Sequence, residues 1–162
     1  MKTLKTFCLS LGLLLCFSAI STGQSLNPTA LESALISAKE SGKKVLIDVY
    51  AEWCPYCEKM HTEVYTETDV IKAVNEHFYL VKINIESQNE VNFLGNRMTE
   101  SDFAKMLKSS SLPSTYFMNS SGELLGMQPG LLPADVFEDL LTFVGSDSYE
   151  SLSFEEYRKK DE

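Results

Sequence analysis

Apolar positions change their spacing along this chain every ten to fifteen residues, from helical to strand-like and back. Over residues 28–41 Leu31, Leu35, Ile36 and Ala38 share one stripe that stops at Gly42, which predicts a helix. Val45–Tyr50 is short and nearly all apolar, as in a strand covered on both faces. A helix should follow from Cys54, with Met60 and Val64 turned inward, and a shorter one over Asp69–Glu76. Phe78–Glu86 is rich in β-branched residues and reads as a second strand, whereas residues 87–98 keep no period and read as a loop. "TESDFAKMLKSS" opens like a capped helix, with Thr99 or Ser101 as N-cap. "STYFMNSSGELLGM" reads as a hairpin turning at Ser121-Gly122. "LPADVFEDLLTFVG" is a helix with Pro133 near its first turn and Gly145 beyond its end. Tyr149, Phe154 and Tyr157 can dock a last short helix, and Met60, Met106 and Met118 are assigned to the core. A βαβ unit followed by a hairpin and a closing helix implies an α/β domain, its mixed central sheet flanked by helices on both faces.

The first residues change this picture. Lys2 and Lys5 precede a weakly polar to apolar run from Phe7 to Ile20, and Ser21-Thr22-Gly23 supplies small residues. That is the layout of a secretory signal peptide over residues 1–23, cleaved near Gly23, with an apolar core short for a membrane span. An uncleaved N-terminal anchor is the other reading. Leu13, Leu14 and Leu15 precede Cys16 where a lipid-attachment motif ends in a small residue, which argues against a lipid anchor. Residues 24–162 then form one domain of 139 residues, a usual size for a single core. Losing Lys2 and Lys5 leaves 12 basic residues of 14 against 23 acidic ones, a net charge of −11. Nucleic acid and anionic membrane surfaces need clustered Lys and Arg, and the one basic cluster, Arg158-Lys159-Lys160, is flanked by acids, which argues against both as partners. The acidity reads as solubility.

Export also changes the cysteine count. Cys8 and Cys16 leave with the leader, so Cys54 and Cys57 are the two that remain. A bridge between them closes a very short loop and removes little entropy from the unfolded chain, which makes it a poor staple. A zinc site is a second candidate, since Cys54, Cys57 and His61 lie along one helical stripe. It lacks a fourth ligand, His77 lies at the far end of the next element, and one helix rarely supplies three corners of a tetrahedron. No metal is therefore assigned, and His61 reads as a partly exposed helical histidine. The third candidate is a working redox pair. In "VLIDVYAEWCPYCEKMH" a strand leads into C-x-x-C and then a helix, whose unpaired N–H groups and dipole favour an anion. A cysteine there has its thiol pKa lowered from about 8.5 toward about 3.5–7.5. Pro55 suits the first helical position, and the i, i+3 spacing brings Cys57 within disulfide reach of Cys54. Cys54 is thus the attacking thiol and Cys57 the resolving one, with Glu52 and Glu58 opposing thiolate formation.

These residues resemble the thioredoxin-like family. "VLIDVYAEWCPYC" has the family's apolar strand, its acid six residues before the first cysteine and its Trp-Cys pair. The likeness covers most of the chain after the leader: "VKINIE" is similar to the next strand, "SLPSTYFMNSSGELL" to the cis-proline turn and hairpin, and Gly130 to the glycine before the last helix. The resemblance implies a thioredoxin fold, Pro113 as the cis-proline facing the cysteines, and Asp48 and Lys82 as a buried pair beneath them. "WCPYCEKM" and the tail "SYESLSFEEYRK" are most similar to exported thioredoxin-related proteins and to the terminal thioredoxin domain of disulfide-interchange transporters. Two features depart from the family pattern: the dipeptide is Pro-Tyr rather than Gly-Pro, and 30 residues separate Lys82 from Pro113. Glutaredoxins share C-P-Y-C but lack the Asp and the preceding Trp.

An aspartate in an apolar strand must be paired, hydrated or neutral, because an unpaired buried charge costs several kcal/mol. Asp48 is either a structural hydrogen-bonded acid or a general base that takes the proton from Cys57 during resolution. Trp53, Pro55, Tyr56, Leu112 and Pro113 are the expected substrate-binding residues, although core packing would account for Trp53 equally well. The expectation is therefore an exported, periplasmic thiol–disulfide oxidoreductase, more often reductant than oxidant, with no cofactor beyond its own Cys54–Cys57 dithiol. Its partners would be disulfide-bearing exported proteins and a membrane electron donor that re-reduces it. The alternative is a non-catalytic binding or chaperone module on the same scaffold.

Overall fold

Strand β1 (Lys44–Tyr50) divides its side chains between two cores, and that division organises the molecule. The computed structural model describes residues 25–159, so the leader expected over residues 1–23 lies outside the described residues. Successive strand side chains point to opposite faces. Val45, Ile47 and Val49 enter one core with α1 (Leu31–Ser41) and α4 (Glu100–Met106). Leu46 enters the other, with the π-helical continuation (Met60–Val64) of the short helix α2 (Pro55–Lys59), α3 (Thr68–His77) and α5 (Ala134–Gly145). By the same alternation Asp48 shares the face of Leu46, toward the Met60–Val64 segment, and it is 0% exposed.

β1 pairs in parallel with β2 (Phe78–Asn84) and antiparallel with β5 (Ser114–Met118), which pairs with β6 (Leu124–Pro129). The order β2-β1-β5-β6 is the mixed sheet anticipated from the sequence, with helices on both faces. The β1–β2 register sets Asp48 opposite Lys82. On α5 the Phe143 ring meets Tyr149, Phe154 and Tyr157, which docks α6 (Phe154–Arg158) as expected.

Four expectations are corrected. Residues 87–98 are not a loop but contain a hairpin, β3 (Glu90–Phe93) and β4 (Asn96–Thr99). Its turn residues Leu94 and Gly95 both have positive φ, 51° and 87°, the requirement of the tight hairpin turn that Asn-Gly usually fills. A leucine there hides the turn signal. Phe93 packs on Phe103, which anchors the hairpin to α4. Ile36 is 55% exposed, because the buried stripe of α1 runs through Leu31, Ala34, Leu35 and Ala38 instead. Met106 is exposed at the end of α4 rather than in the core. Gly145 is the last residue of α5, not the one after it, since the Ser146 N–H still bonds to the Thr142 carbonyl and carries the helix through it; the His77 ring lies where a Cβ would sit, which calls for glycine there.

Candidate functional site

The redox pair sits where β1 gives way to α2. Cys54 is the N-cap of α2, Pro55 follows at the first helical position, and Cys54 Sγ accepts a hydrogen bond from the Cys57 N–H at 3.2 Å. Cys54 and Cys57 are joined in a disulfide with a Cα–Cα separation of 5.2 Å. Both sulfurs are buried, packed by Ala51, Tyr50, Ile85 and Leu112. A groove of about 440 Å³ opens over them between Trp53 and Tyr56 on one side and Ser109–Leu112 on the other. Trp53 is 65% and Tyr56 60% exposed, so core packing does not account for Trp53. Large aromatics left in water beside a disulfide are surface available to a partner. Ile85 and Ser109 to Ser111 also line the groove and were not anticipated; the serine run before Leu112-Pro113 was the available signal.

Pro113 is buried at the start of β5, and the Leu112–Pro113 peptide bond is cis. Its carbonyl accepts from the Gly130 N–H at 2.8 Å, and Gly130 has φ 78°, a conformation that glycine adopts without strain.

Around Asp48 the arrangement differs from a direct Asp48–Lys82 pair. Although the two residues are opposite in register, His61 stands between them. Its Nε2 lies 2.5 Å from Asp48 Oδ2, and its Nδ1 lies 3.1 Å from Lys82 Nζ. His61 is one helical turn beyond Cys57, so the helix that presents the cysteines also delivers this ring to Asp48 and Lys82. The expected buried pair is thus a triad, and Lys82 is only half-buried at its outer end. The ring nitrogens that a zinc ion would require face Asp48 and Lys82. Tyr50 closes the group from above, its ring 5.2 Å from the His61 ring and 4.6 Å from Lys82 Nζ.

The electrostatics follow from burial. Desolvation pulls the Lys82 ammonium below its usual value, while Asp48 and Glu52 pull the other way. Burial, and then the Asp48 carboxylate, push the Tyr65 phenol well above its usual value. Burial and the charges of Glu52, Glu100 and Asp48 raise Tyr50. Asp48 Oδ1 is buried with no hydrogen-bond partner. An uncommitted acceptor inside a core is costly to maintain and is a place where a proton can be received.

With fold and site in view, the chain can be placed among known proteins. Residues 31–145 match the description "Thioredoxin-like domain", and the chain belongs to that family. It is 30% identical over 107 residues to the thiol:disulfide interchange protein DsbD of Salmonella typhimurium, covering 66% of this chain and 16% of that protein. With a second such protein, DsbD 2 of Pseudomonas aeruginosa, it shares 34% over 62 residues, 38% of this chain and 10% of the relative. The chain therefore spans a small fraction of the length of these relatives. Among solved structures, a thioredoxin-fold protein from Helicobacter pylori superposes with TM-score 0.63 at 21% identity, over 86% of this chain and 85% of that one. The oxidised C-terminal domain of DsbD from Neisseria meningitidis gives 0.55 at 22%, over 70% and 96%. The fold is that of thioredoxin, as the resemblance implied.

Proposed function

We propose that this protein is an exported thiol–disulfide oxidoreductase that reduces disulfides in other exported proteins through Cys54 and Cys57. The observation that carries the reading is the redox pair itself, set at a helix N-terminus under an open groove. In the reduced protein the Cys54 thiolate attacks a substrate disulfide held against Trp53 and Tyr56. A Cys54–substrate disulfide forms, and the first substrate thiolate leaves. Cys57 then gives its proton to Asp48 Oδ1, its sulfur bonds to Cys54 Sγ, and the second substrate thiolate leaves. The substrate gains two electrons and the protein ends in its disulfide form. Pro55, Leu112 and Pro113 complete the surface on which the substrate segment rests.

The leader-like residues 1–23 support export, and the periplasm is the compartment that fits the DsbD likeness. No helix among the described residues is long and apolar enough to cross a membrane. A protein reducing disulfides in an oxidising compartment must itself be re-reduced, so a membrane-bound dithiol donor is the implied second partner. Trp53-Cys54 and Asp48 favour the reductant direction.

Trapping tests the reading. With Cys57→Ser, Cys54 still attacks but nothing resolves the mixed disulfide. Adducts that vanish with dithiothreitol should accumulate in the native envelope, and Cys54→Ser should accumulate none. If Cys57→Ser traps nothing while the wild type still complements a deletion, the protein is a binding module instead.

A further inference from the structure

The Asp48–His61–Lys82 contacts determine where the protons sit. Charged lysine offers three donors and no acceptor, so the contact at 3.1 Å makes His61 Nδ1 the acceptor. A neutral imidazole then carries its proton on Nε2, which donates to Asp48 Oδ2. Asp48 Oδ2 is thereby occupied, and Oδ1 is the one carboxylate oxygen with no partner. We propose that His61 is a positioning residue for the resolving step: it holds Asp48 as a carboxylate with Oδ1 free to take the Cys57 proton. The proposal rests on the general-base reading of Asp48 given above and adds the residue that keeps that base ready.

The surroundings favour this role. Asp48 has no contact with water, whereas the His61 side chain is about one-fifth exposed and Lys82 reaches solvent. Both line a cavity of about 410 Å³ with Ser25, Leu26 and Tyr65, and it shares no lining residue with the substrate groove. His61 is thus the link between a sealed carboxylate and a wetted wall. The charged and titratable groups facing it are Asp48 and Tyr50 from β1, Lys82 from β2 and Tyr65 from its own helix. Glu52 acts on Lys82 and Tyr50. Two of these are phenols that remain neutral past neutral pH, so the triad sets the charge state of the site.

The test separates attack from resolution. Reduced protein is mixed with an aromatic disulfide whose thiolate is coloured; the first release reports Cys54 attack and the second reports Cys57 resolution, each followed across pH. His61→Ala removes the one donor to Asp48, and a hydrogen bond to a charged group is equivalent to about 1–2 pH units. The acid limb of the second phase should therefore move up by about 1–2 pH units, slowing resolution by about tenfold or more at pH values below the limb, with the first phase unchanged. His61→Gln, whose amide donates to Oδ2 and accepts from Lys82, should restore the wild-type profile. Lys82→Met would move the limb through its own charge on Asp48, so if His61→Ala fails to fold the comparison falls to His61→Leu, which keeps the bulk of the ring, lacks the donor and should move the limb as alanine does. An unmoved acid limb in these variants, while Asp48→Asn slows the second phase, overturns the role of His61 and leaves the base intact. A wild-type second phase in Asp48→Asn overturns the base, and the proposal with it.

Discussion

Asp48→Asn separates the two roles open to this residue, because they predict opposite pairs of outcomes. The carboxylate is 0% exposed and its one hydrogen bond comes from His61. Desolvating a charge of this kind costs several kcal/mol. The single charged hydrogen bond returns about 1.5–3 kcal/mol. Asparagine keeps an oxygen for His61 Nε2–H and discards the charge, while its NH2 takes the unpartnered Oδ1 place at a cost of about 1–3 kcal/mol, so the two changes should offset to within about 1 kcal/mol. At about 4 °C per kcal/mol for a chain of this size, the melting midpoint should stay within about 4 °C of the wild type. An amide cannot accept the Cys57 proton, so insulin-reduction turnover should fall by about 10²- to 10⁴-fold, the range for loss of a general base. Thermal melts by circular dichroism and turnover on the same preparation give both numbers. Unchanged turnover, or a midpoint lowered well beyond that margin, would make Asp48 a structural acid and refute the reasoning.

Alkaline pH should destabilise the protein through Tyr65. Its phenol is held well above the usual value by burial and then by Asp48, so the folded chain keeps a proton that the unfolded chain releases above about pH 10. The native state binds more protons there, and stability must fall as pH rises past about 10. Burial lowers Lys82, which acts with the opposite sign, raising stability with pH between its folded value and about 10.4, and so does not mask the loss beyond that window. Urea melts across pH should show the fall, and Tyr65→Phe should lessen it, with Tyr50 and Tyr149, whose phenols are also raised by burial, sustaining the remainder; an equal slope in the variant would refute the assignment. At the β3–β4 turn Leu94 has φ 51° and is 61% exposed, so Leu94→Asn should relieve left-handed strain and lose little burial. A gain of about 0.5–1 kcal/mol in chemical denaturation is expected, and a loss would show that Leu94 stabilises through its contact with Gly122.

Much of the molecule was legible in the order of its residues. The apolar run before "WCPYC", the proline at the first helical position and the i, i+3 cysteines are local features, and local geometry is what short-range spacing specifies. The tertiary structure decided what depended on neighbours distant in sequence. Residues 87–98 become a hairpin because Phe93 finds Phe103 and the turn tolerates Leu94 in a conformation that no leucine advertises. Trp53 faces water because the helix carrying the cysteines buries Cys57, Met60 and Val64 on its inner side. His61 read as a half-exposed helical residue because its partners lie 13 and 21 positions away, on two strands. Parallel pairing of β1 with β2 brings Asp48 opposite Lys82, and packing of the helix onto that face drops the imidazole between them. Such a triad is written by strand register and helix packing together, and neither is encoded in local spacing.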